Sequence, residues 1–170
     1  MISGSVVDVR DIRAVVTRRP AVISDELVTI DDDDRGYLTA EINAFLVAWL
    51  SALTCPVVNR PTTTCLCGPP WSDVHWQLAA SRADVEWHTG SIEDAETTDV
   101  LVCGMATTGT TRRDESDAAV RLAAEAGVTL LAARFIDGTV CAATARPALD
   151  DPQSRELVLN HLRTFDRVAR

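Results

Sequence analysis

Cys65-x-Cys67 and His75 fall in one segment, "TCPVVNRPTTTCLCGPPWSDVHWQ", which holds three of the chain's five cysteines and two of its four tryptophans. A thiolate next to an imidazole makes a nucleophile with its base, and a loop bounded by glycine and proline is a place where such a pair could meet. One expectation is therefore a small cysteine-dependent enzyme with Cys65 or Cys67 as nucleophile and His75 as base. Cys55, His75 and His88 could join the Cys-x-Cys pair on paper as zinc ligands. The spacing lacks the two separated C-x2–4-C pairs of structural zinc sites, so no metal ligand set is assigned. A small-molecule- or metal-binding protein stays open as a further alternative. The plain reading is that these thiols pack a loop, as Cys103 and Cys141 do inside apparent strands.

Trp71 and Trp76 stand beside a Gly-Pro-Pro turn, where a rigid ring either packs the core or anchors a partner. The basic residues bound the chemistry more tightly. All sixteen are arginine, with no lysine anywhere in the 170 residues. Schiff-base chemistry and a phosphate-loop lysine are thereby excluded, and "TTGTT", Thr107–Thr111, reads as a surface loop. A net charge of −9 argues against general nucleic-acid binding. The longest apolar run, Ala44–Leu50, is far short of the ~20 residues of a membrane helix, and the opening lacks a signal peptide's basic and apolar regions. The expectation is a soluble cytoplasmic protein with no membrane or nucleic-acid partner and reduced thiols.

The elements that must position these residues follow from periodicity. "VVDV" and "IRAVV" read as a β-rich opening ending at Pro20. "DDDD", Asp31–Asp34, reads as a solvated loop or a helix N-terminus. Gly36–Leu53 places Leu38, Ile42, Phe45, Leu46, Trp49, Leu50 and Leu53 three and four apart, which predicts an amphipathic helix. "CPVVNRP" predicts a short buried strand, and Ser72–Ala83 a helix with Ser72 as N-cap. "VEWH" is a possible strand, "DVLVCGMA" a strand, and "DAAVRLAAEAG" a helix stopped by Gly127. The "VTLLAARFIDGTVCAATARP" stretch predicts two strands joined at Asp137-Gly138. A terminal amphipathic helix offers Leu157, Leu159, Leu162, Phe165 and Val168 for burial. Interleaved strands and helices predict an α/β or α+β fold with a small mixed sheet flanked by helices.

"VVTRRP", the acidic connector, "AEINAFLVAWLSAL" and "CPVVNRP" together resemble the N-terminal part of ATP-grasp ligases, in the subgroup that modifies peptides or joins amino acids. The matching positions are Arg18, Arg19, Pro20, Glu41, Leu53, Asn59 and Pro61, followed by Gln77, Leu78 and Ala80 in "WQLAASRA". The tail, from "DVLVCG" through "LLAARFIDGTV" to "ARPALDDP", is similar to the last ATP-grasp strands. The resemblance implies a collapsed ATP-grasp fold without the central ATP-binding segment and without the first β-α unit. At the positions it assigns to magnesium ligands, Thr144 replaces a glutamate and Arg146 an asparagine ahead of Pro147, and "AARF" stands before the Asp-Gly turn. Acyl-phosphate chemistry needs bridging magnesium, so the resemblance implies a chain that does not phosphorylate a carboxylate.

The expectation is accordingly a single domain over 1–170, or a 1–88 part and a 99–170 part joined by 89–98. In function it is a non-catalytic, ATP-grasp-like accessory protein, with no cofactor, that binds a partner enzyme or a peptide substrate and forms a hetero- or homo-oligomer. Its expected binding surface is Arg18, Arg19, Asn59, Arg60, Trp71, Trp76 and Gln77, with arginines for carboxylates and rings as anchors.

Overall fold

The computed structural model describes residues 7–93, 95–110 and 112–168, with side chains through Phe165. The fold is α+β, with four helices and two small sheets among the described residues. The β-rich opening shrinks to β1 (Val15–Val16), because Val9–Asp11 instead form a 3-10 turn capped by the Asp8 carboxylate. Val6 lies outside the described residues. α1 (Asp32–Ala52) crosses over to β2 (Val57–Val58), and β1 and β2 pair in parallel, as strands on either side of a helical connection do. The acidic run becomes the N-terminus of α1: Asp31 caps it through Asp33 N at 3.2 Å, with Asp32, Asp33 and Asp34 in the first turn. That is where the helix dipole favours carboxylates.

α2 (Asp73–Arg82) begins after Ser72, yet the Ser72 hydroxyl bonds His75 Nδ1 at 2.9 Å instead of capping the backbone. "VEWH" contributes only an isolated bridge from Trp87 to Val140. The main sheet is antiparallel, in the order β4-β3-β5-β6, from β3 (Thr98–Cys103), β4 (Ala106–Thr108), β5 (Leu130–Ile136) and β6 (Thr139–Thr144). β3 and β4 form a hairpin about Gly104 and Met105, so Thr107 and Thr108 belong to a strand where the sequence predicted a loop. Asp137 (φ 49°) and Gly138 (φ 85°) make the β5–β6 turn, whose positive angles match strand twist in a two-residue hairpin.

One face of this sheet is filled. Val100, Val102, Leu131, Ala133, Phe135 and Val140 form one core together with Trp76, Ala79 and Ala80 of α2. α3 (Arg113–Glu125) adds Ala118, Ala119, Leu122 and Ala123 to the same core. The other face is partly covered by α4 (Pro152–Val168), whose Val158 meets Leu101, Cys103 and Leu130. Leu159, expected inside, is exposed, and the residue buried in its place is Val158. The expected burial of Val168 lies outside the described side chains.

Asn59 joins the two halves. Its carboxamide donates to Leu130 O (2.7 Å) and Ala145 O (2.8 Å) and accepts from Thr129 N and Leu130 N (both 2.8 Å). Every polar position of the side chain is used, in a buried setting where an unmet one costs ~1–3 kcal/mol. Asn59 sits at φ 51°, a region asparagine tolerates better than most residues.

Candidate functional site

The structure sets the two thiols and the imidazole in different surroundings, the thiols buried and the ring at the surface. Cys65 and Cys67 are both 2% exposed, with their Sγ atoms 3.7 Å apart. Burial first, then the hydrogen bond and charge of Cys65, push the Cys67 thiol up to about 11, against the weaker pull of Arg146 and Arg18. A thiol with that pKa is protonated at neutral pH, and burial denies it the accessible setting of reactive cysteines. His75 is exposed, and its Nδ1 is held by Ser72. Cys103, in β3, is pushed up by burial to about 11. Among the described residues, no three His, Cys, Asp or Glu side chains gather as metal ligands.

The expected binding surface is divided by burial. Trp76 is 1% exposed and belongs to the core, and Asn59 is consumed by the inter-half clamp, so neither can face a partner. The reason is local. Trp76 lies on the α2 face that carries Ala79 and Ala80, while the solvent face holds His75 and Gln77. Trp71 is half-buried, edge-on to Trp76 (4.9 Å between ring centroids) and stacked on His75 (6.4 Å). Arg18, Arg19, Arg60 and Gln77 are exposed. Arg19 is occupied by Glu26 and by Ala21 O.

Two features take the place of that surface. The first is α1. Only Leu50 is buried in its 21 residues, whereas Tyr37 is 71% and Phe45 66% exposed. The expected amphipathic burial is therefore overturned for Phe45. The C-terminal half rests on Val57 and Leu66 through Leu50 and Leu53, with Leu46, Val47 and Trp49 only partly covered. Asn43 fastens the connector by bonding both Val22 N and Val22 O at 2.9 Å. On the opposite side, Ala40, Ala44, Ala48 and Ala52 are all exposed and recur every four residues, one ridge of the helix surface. Between Glu41 and Arg60 the chain carries no charge.

The second is a cavity of about 630 Å3 on the half-covered face of the main sheet. Leu101, Ala132, Ala142 and Thr144 line its floor. At one end Arg134 grips Asp99 with both nitrogens, Nε to Oδ1 at 2.7 Å and Nη2 to Oδ2 at 3.0 Å. The Asp99 carboxylate raises the Arg134 pKa. At the other end stands the approach to α4, with Pro147, Asp150 and Asp151. Asp151 caps α4 by accepting from Ser154 N at 2.8 Å, and its bonds from Ser154 hold its carboxyl below the usual range.

No sequence signal marked the cavity, because it arises where alanines on paired strands meet. The alanine ridge of α1 was legible in "AEINAFLVAWLSA" as a four-residue period. No helix among the described residues is long and apolar enough to cross a membrane. The chain matches no family model, no curated protein and no solved structure.

Proposed function

We propose that this chain is a non-catalytic, ATP-grasp-like accessory protein that docks through α1 onto a partner enzyme of a biosynthetic or peptide-modification system. The observation that carries the binding half is the bare α1. A helical segment apolar on nearly all sides, as α1 is from Ala44 onward, normally lies inside a larger core, yet this helix leaves Tyr37 and Phe45 in water. Small residues on one ridge let another helix approach closely, with the neighbouring rings as knobs. The occupant that fits is an apolar helix of a partner protein. A chain with a net charge of −9 repels its own copies, which favours a partner of different sequence over a homo-oligomer.

The non-catalytic half is supported by the disarmed thiols and by the cavity floor. The stretches to which the ATP-grasp resemblance assigns magnesium ligands come side by side there, since Ala132 pairs with Thr144 and Arg134 with Ala142. An alanine, a guanidinium and a hydroxyl are a poor donor set for a hard cation that prefers carboxylates. The one carboxylate across from Arg134, Asp99, is already held by it.

The test is parallel affinity purification from the native host of the tagged chain and of its Phe45→Arg variant, followed by native mass spectrometry. The wild type should carry a stoichiometric second protein that Phe45→Arg loses while keeping its circular dichroism spectrum. A lone monomer in both preparations, or a homodimer, would contradict the reading. So would rapid alkylation of one thiol with loss of an activity, which would restore the cysteine-enzyme alternative.

A further inference from the structure

The main sheet is packed on one whole face and on the part of the other that α4 covers. The exception is the strip that runs from Ala132, at the edge of the Val158 cluster, to Ala142, although the same β5 strand places Leu130, Leu131 and Phe135 in packed positions. Larger side chains at those two alanines would fill the space. What remains is a cavity in the ordinary size range of small-ligand sites, with an apolar floor and polar ends.

Its charges select the ligand. Three carboxylates, Asp99, Asp150 and Asp151, line it against one guanidinium, Arg134. Arg134 is neutralised by two-point pairing with Asp99, so an incoming anion would have to displace a carboxylate already in place. Asp151 is spent as the α4 cap. Among the described residues, no donor reaches the Asp150 carboxylate. Arg155 turns back only to the Asp150 carbonyl, at 3.0 Å, and is not part of the lining. A cation drawn to Asp150 with an apolar stem along Leu101 and Ala132 satisfies both surfaces.

We propose that this cavity binds an organic cation: a primary amine or guanidinium on an aliphatic stem, free or as a lysine or arginine side chain of a peptide. The chain has no lysine of its own to offer. The site stands independently of α1 and of any partner docked there.

The experiment is a chemical-shift titration of the full chain with n-butylamine, n-pentanoate and a blocked Ala-Lys-Ala tripeptide. The amine should shift the amides of Leu101, Ala132, Ala142 and Thr144, and pentanoate should not. Asp150→Asn should weaken amine binding roughly three- to fivefold, as loss of a solvent-exposed ion pair does. Raising the salt should weaken it in the same direction. Ala142→Leu should abolish binding by occupying the floor. Asp150→Asn, which leaves β6 untouched, keeps the test valid if that variant misfolds. Tighter binding of the tripeptide than of butylamine identifies a peptide as the source, and equal binding a free amine. The proposal is overturned if pentanoate binds as well as butylamine, if neither cation shifts these amides, or if Asp150→Asn leaves the affinity unchanged.

Discussion

α3 and α1 are both helices lying beside a sheet, and they spend their apolar residues in opposite ways. α3 has 13 residues and buries five of them, Leu122 and three alanines together with Glu115. Glu115 is satisfied by the Thr110 hydroxyl at 2.7 Å and by Arg112 at 3.3 Å. α1 has 21 residues and buries one. α3 is the more polar in sequence and the better covered. Apolar content does not set burial; what faces the helix does. α3 shares a core with α2 and the inner face of the antiparallel sheet, whereas the C-terminal half of α1 has beneath it only Val57 and Leu66, flanked by Val15 and Cys55.

The contrast can be broken most forcefully at Asn59, which ties the α1 half to the sheet half. Asn59→Ala leaves the backbone groups of Thr129, Leu130 and Ala145 without their partner, and at ~1–3 kcal/mol for an unmet buried group the total loss should reach about 4 kcal/mol or more. Denaturant unfolding followed by circular dichroism measures it. Next comes Leu122→Ala in α3, a fully buried position, expected to cost about 2–5 kcal/mol in the same experiment. Phe45→Ser in α1 should change stability by no more than ~0.5 kcal/mol because the ring is already in water, while removing partner binding.

The smallest effect concerns pH. His161 lies edge-on to Phe165 (5.1 Å) and against Gly104, and its Nε2 is buried without a hydrogen-bond partner. Burial lowers its pKa below the ordinary 6.5. The unfolded chain therefore takes up the proton first. Stability is full above about 6.5 and falls as the pH drops through that value toward the folded-state pKa. Thermal unfolding of wild type and His161→Phe between pH 7.5 and 5 should show the wild type losing ground to the variant on the acid side.

These regions also differ in how far the sequence announced them. The α3 pattern, its stop at Gly127 (φ 63°) and the Asp137-Gly138 hairpin are local signals, and the structure follows them. The β3–β4 hairpin was hidden because "ATT" has no apolar alternation, and its pairing is fixed by β3 alone. The extent of α1 was close to legible, but its exposure was not, since periodicity shows a face without showing what covers it. Asn59 and Trp76 are candidates for the binding surface by residue type alone, because tolerance of a left-handed backbone and membership of a helix's inner face emerge only once the chain is folded. Cys65 and Cys67 stand out in the sequence by type and spacing, which carry no sign that both are buried.

The decisive measurement is amide hydrogen exchange along α1, in the isolated chain and in the complex purified from its host. Exchange should be fast over the Tyr37–Trp49 stretch in the isolated chain and slow in α3, with strong slowing of α1 in the complex. Equal protection of α1 in both states would contradict docking through α1. So would slowing confined to the Arg60–Trp71 segment, which would return the partner to the surface of exposed arginines.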